Sequence, residues 1–119
     1  MAGLNKQTGA IDFDGGTPLQ IGRWSGQRAS LVASGTSGRI TLPTGAEYIE
    51  ITAVEPTYLN FGDVTVVATT VIASDGSRYF AAGVQVISVP LDPATSLPYT
   101  HVAILQVSLG GLIQVEQLV

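Results

Sequence analysis

A two-sheet antiparallel β-sandwich of jelly-roll type, preceded by an extended N-terminal arm, is predicted by three features of this 119-residue chain. Residues 47–62 read as two short strands broken at Glu55-Pro56, with Ile49, Ile51 and Ala53 on one parity and Tyr48, Glu50 and Thr52 on the other. That is the period-2 pattern of a sheet with one dry and one wet face. Turn signals recur at nearly even spacing after residue 33, and no window carries the 3.6-residue period of an amphipathic helix.

Residues 1–27 scatter Leu4, Ile11, Phe13, Leu19, Ile21 and Trp24 at no fixed period among six glycines and Pro18. Such a segment buries too little apolar surface by itself to offset its ordering entropy, so it is read as an arm that lies on a partner or on its own domain. Residues 28–119 form the sandwich. Strands are expected over 28–33, 39–42, 47–54, 58–61, 64–71, 78–81, 84–91, 101–108 and 112–118, where Val and Ile dominate. Breaks stand at Ser34-Gly35-Thr36-Ser37-Gly38, Pro43-Thr44-Gly45, Gly62-Asp63, Ser74-Asp75-Gly76-Ser77, residues 92–98 and Gly110-Gly111, with Asp75-Gly76 the best hairpin turn.

Two strands carry apolar residues on both parities. In 84–91, Val84 and Val86 share one side while Ile87, Val89 and Leu91 share the other; in 102–107 both Val102 with Ile104 and Ala103 with Leu105 and Val107 are apolar. A bulge would shift the phase, or both faces are covered. The second alternative implies an oligomer interface, for which Val86, Ile87, Val89, Val102 and Ile104 are the candidates.

Charged residues are only 12% of the chain, about half the usual share, so small polar residues must supply much of the surface. The net charge of −4 argues against the basic stripe that nucleic-acid binding needs, and no apolar run reaches the length of a membrane span. Neither nucleic acid nor membrane is an expected partner. A soluble chain without a cleaved leader is expected. The charge is uneven: residues 1–40 carry a net +2 through Lys6, Arg23, Arg28 and Arg39, whereas residues 41–119 carry −6. The first third is therefore suited to an acidic partner surface, with Lys6, Phe13, Arg23 and Trp24 as candidate contacts and Trp24 as a plug for a partner's pocket.

Catalytic patterns are weak. His101 is the sole histidine, there is no cysteine, and no serine stands in a Gly-x-Ser-x-Gly elbow. Asp12-Phe13-Asp14-Gly15-Gly16 opens like a calcium loop but lacks the further ligands and closing glutamate, and Ser34-Gly35-Thr36-Ser37-Gly38 lacks the lysine and helix of a phosphate loop. Glu47, Glu50 and Glu55 read as solvated carboxylates. No catalytic residue, metal or cofactor is expected.

The series Tyr48-Ile49-Glu50-Ile51-Thr52-Ala53, Tyr58-Leu59-Asn60-Phe61-Gly62 with a following Val-Thr-Val, Ala82-Gly83-Val84, Tyr99-Thr100-His101-Val102-Ala103-Ile104 and Gly110-Gly111-Leu112-Ile113-Gln114-Val115 resembles, in that order, the small all-β capsid decoration or cement proteins of tailed bacteriophages. The likeness covers residues 46–119. It implies a non-enzymatic virion protein on the outer surface of the capsid, made in the bacterial host cytoplasm. Its partners would be the major capsid protein, at joints between subunits, and further copies of itself as a dimer or trimer. A phage tail, head-fibre or head-tail adaptor protein is the alternative within the same biology, and a carbohydrate-binding sandwich the alternative outside it.

Overall fold

The computed structural model describes residues 23–70 and 76–119. Ten strands follow in order: β1 (Trp24–Val32), β2 (Gly38–Thr41), β3 (Tyr48–Ala53), β4 (Thr57–Gly62), β5 (Arg78–Phe80), β6 (Gly83–Ser88), β7 (Leu91–Asp92), β8 (Leu97–Pro98), β9 (His101–Gln106) and β10 (Leu112–Leu118). Two four-stranded antiparallel sheets carry the fold, a front sheet in the order β1-β10-β3-β6 and a back sheet in the order β2-β9-β4-β5. Set aside the small β7–β8 hairpin and the pairing is nested: first strand with last, second with seventh, third with sixth, fourth with fifth. That nesting is the jelly roll, and it bears out the fold class expected from the sequence.

The core lies between the sheets. Ile49, Ile51, Ile113 and Val115 from the front sheet and Val102 and Ile104 from the back sheet are at most 1% exposed, with Ile40, Leu59 and Phe80 packed among them. Removing each such branched side chain from water stabilises the fold by roughly 1.5–3 kcal/mol. Odd-numbered residues of β3 and β10 and even-numbered residues of β9 point inward, because a strand alternates its faces strictly.

The structure corrects several sequence expectations. The first strand begins at Trp24, inside the expected arm, because Arg23 and Val119 exchange backbone hydrogen bonds of 2.9 and 2.8 Å and Trp24 pairs with Leu118. The rest of the arm, with Lys6 and Phe13, lies outside the described residues. Residues 64–70 are not a strand. The Asp63 carboxylate accepts from the Thr65 amide at 2.9 Å and its hydroxyl at 2.7 Å, which closes a turn, and the Val66 amide donates to the Asp63 carbonyl. Beyond the turn, side chains replace a strand partner: Asn60 Nδ2 donates to the Val67 carbonyl, and Ser37 Oγ accepts from the Ala68 amide at 2.9 Å.

The expected strand over 84–91 stops at Ser88, since Pro90 has no amide to donate and the chain turns into the β7–β8 hairpin. The bulge considered for it is absent: β3 and β6 pair without a slip from Tyr48 opposite Ser88 to Ala53 opposite Gly83. At the far end, Gly110-Gly111 carries the chain from the back sheet to the front one.

Candidate functional site

Among the described residues the outer face of the front sheet is left open, and the register fixes what it presents. Trp24, Leu118, Tyr48 and Ser88 form one row across the four strands; Arg28, Glu116, Glu50 and Val86 form the next; Ser30, Gln114, Thr52 and Val84 form the third. Trp24 is 66% exposed and Val84 63%. Leu118, flanked by Trp24 and Tyr48, is only 8% exposed although it points away from the core.

Between Trp24 and Arg28 the register slips, four residues of β1 passing two of β10. Gly26 makes this possible: its φ of +84° lies in the left-handed region that residues with a Cβ rarely adopt. The slip aims the Gly26 amide at Glu116 Oε2, 3.0 Å away, while the Trp24 indole N–H reaches over β10 and donates to Glu50 Oε1, also at 3.0 Å. Glu50 and Glu116 stand directly opposite each other, an arrangement that like charges disfavour. Each carboxylate therefore receives a fixed donor, and Arg28 stands opposite Glu116 in the same row. Trp24, Arg28, Glu50, Gln114 and Glu116 line the shallow groove that results.

A second concavity of about 700 Å³ opens between the edges of the two sheets, where no described strand joins β5 to β6. Its walls are Leu59, Phe61, Phe80 and Ile87, and Arg78, Tyr79 and Gln85 stand at its rim.

His101 opens β9 opposite Gly62, and its Nδ1 shares a 2.7 Å hydrogen bond with Thr100 Oγ1. Asp63 is held below the ordinary carboxylate pKa, first by the Thr65 hydroxyl bonded to it, then by the Thr65 amide, with a smaller contribution from the His101 charge. Among the described residues no three His, Cys, Asp or Glu side chains are grouped so as to hold a metal ion.

The candidate contacts named from sequence separate sharply. Arg23 and Trp24 are exposed at the start of β1, and Val86 is 38% exposed on the open face. Ile87 is half-buried against the core, Val89 is 5% exposed, and Val102 and Ile104 are fully buried between the sheets. These last three serve the monomer core and cannot face a second copy. The other parity of β9 is not an interface either: Ala103 and Leu105 are covered by Val66, Ala68 and Tyr58, so the roof over the back sheet is residues 63–70 of the same chain.

Sequence reasoning missed Glu116 and left Glu50 as an isolated solvated group. The wet-face parity of Tyr48 and Glu50 was available, but their neighbours on β10 and β1 come from the far ends of the chain. No family model, no curated protein sequence and no solved structure matches the chain.

Proposed function

We propose that this protein is a non-enzymatic structural component of a tailed-phage virion that decorates the capsid, binding at joints between major capsid subunits and reinforcing the shell. One observation carries the reading: the ordered strand series over residues 46–119, from Tyr48-Ile49-Glu50-Ile51 to Gly110-Gly111-Leu112-Ile113, which resembles capsid decoration proteins. A jelly roll with a broad open face gives that reading a physical basis. A cement acts through distributed contacts of aromatic, apolar and polar side chains, and the front sheet offers Trp24, Tyr48, Val84 and Val86 among Glu50, Arg28 and Gln114. The partners in this reading are the major capsid protein and further copies of the same chain.

Mass spectrometry of purified particles tests it. The expected result is a copy number comparable to that of the major capsid protein, with density over subunit joints in a cryo-EM map. A handful of copies per particle would shift the assignment to a tail, head-fibre or adaptor role, and presence in the lysate alone would overturn the virion role.

A further inference from the structure

The four sheet edges of this sandwich are unequal. β1 carries the register slip around Gly26 and the charge of Arg28; β2 has four residues and includes Arg39; β5 has three and includes Arg78. Short length, a bulge or a charge each discourages further strand pairing. β6 has none of these protections. It runs for six residues, Gly83–Ser88, without a charged side chain or an internal proline, holds an unbroken register with β3, and has no further strand beside it among the described residues. Its outward side chains, Val84 and Val86, are 63% and 38% exposed.

We infer that β6 is the self-association edge, pairing antiparallel about a two-fold axis with β6 of a second copy to join two front sheets into one eight-stranded sheet. The choice of a second copy rests on charge. A two-fold interface brings a surface against itself, so pairing through β1, β2 or β5 would gather Arg28, Arg39 or Arg78 near its own counterpart, at a cost that like charges across strands always carry. β6 opposes nothing charged to itself. With Gln85 opposite Gln85, Val84 of each copy stands beside Val86 of the other on the open face, and two apolar cross-strand pairs form where two isolated valines faced water. A six-residue edge buries less than the ~1,200 Å² of a standard stable interface, so the dimer depends on concentration. The inference specifies the self-association named above and does not depend on capsid binding.

Sedimentation equilibrium of the full chain over a wide concentration range tests it without any particle, so its failure is distinct from failure of the capsid reading. The wild-type chain is expected to pass from monomer to dimer as concentration rises. Two double variants, Val84→Lys with Val86→Lys and Val84→Glu with Val86→Glu, are expected to remain monomeric at concentrations where the wild type is dimeric, with unchanged far-UV circular dichroism because both positions are exposed. Mixing the two should restore a dimer containing one copy of each, since lysine then faces glutamate. A wild-type chain that stays monomeric throughout, variants that dimerise like the wild type, or a mixture without a mixed dimer would each overturn the assignment.

Discussion

β9 and β6 look alike in sequence and fare differently in the fold. Each carries apolar residues on both parities, yet Val102, Ala103, Ile104 and Leu105 of β9 are all buried, whereas β6 leaves Val84 and Val86 in water. The difference is one segment: residues 63–70 fold back over the outer face of the back sheet, and no described segment does the same for the front sheet. An apolar residue on the second face of a strand therefore signals that the face wants cover. It does not say whether the cover is the same chain or another one.

The largest contrast expected from this comparison is between Ile104→Ala and Val86→Ala. Ile104 has no exposed surface, so truncating it should cost about 2–5 kcal/mol of folding stability through lost transfer energy and a residual cavity. Val86→Ala should stay within about 0.5 kcal/mol for the monomer. Urea denaturation at low protein concentration measures both, and equal costs would mean that the outer face of β6 is covered within the monomer.

The roof can be lifted at Gly62. A Cβ there would stand 2.7 Å from Val66 Cβ and Cγ2, so Gly62→Ala must push the roof off the sheet or strain it, at about 1–3 kcal/mol. Hydrogen exchange should accelerate at the Val66 and Ala68 amides well before the core of β9 responds. Uniform acceleration across β9 would show that roof and core unfold as one unit.

Thr57 sharpens the comparison with the opposite sign. It is 1% exposed, and its hydroxyl has no hydrogen-bond partner among the described residues, a state that costs a buried polar group about 1–3 kcal/mol. Thr57→Val keeps the shape and removes the hydroxyl, so the melting temperature should rise. A fall would mean that the hydroxyl is satisfied after all.

The smallest effect concerns the turn that starts the roof. Asp63 titrates below 3.8 because the Thr65 hydroxyl and amide favour its charged form. A depressed folded-state pKa stabilises above the unfolded-state value and loses that contribution as pH falls through the folded-state one, so the roof should loosen only in acid below the ordinary Asp range. Thr65→Val removes the first of the two donors and should raise the Asp63 midpoint in an NMR titration toward 3.8. A midpoint that does not move would assign the shift to the backbone amide alone.

Much of the architecture was legible in the chain. The alternation of Ile49, Ile51 and Ala53 against Tyr48, Glu50 and Thr52 defined β3 and its buried face, and the even spacing of breaks located most strands to within a few residues. The strand expected over 64–71 does not form over residues 64–70 for a local reason, since Asp63 and Thr65 offer the backbone a competing turn. β1 begins four residues before its local pattern does, because its first residues are held by pairing with the C-terminal end of the chain, about ninety residues away in sequence, as the Gly26–Glu116 bond illustrates. The candidate site was less legible still. Trp24 stands out in the sequence as a lone indole, but its acceptor Glu50, and the facing Glu116, become neighbours only when β1, β10 and β3 lie side by side.

The sequence by itself determined the all-β class and the inward parity of β3, and its evenly spaced breaks pointed to a two-sheet sandwich, because strand periodicity and turn chemistry are set by residues two to four positions apart. Only the tertiary structure decided that Val102 and Ile104 belong to the core, that residues 63–70 roof one sheet, and that Trp24, Glu50 and Glu116 share the open face of the other. Those outcomes depend on which strands pair, and in a nested sandwich the first strand pairs with the last, where no local pattern reaches.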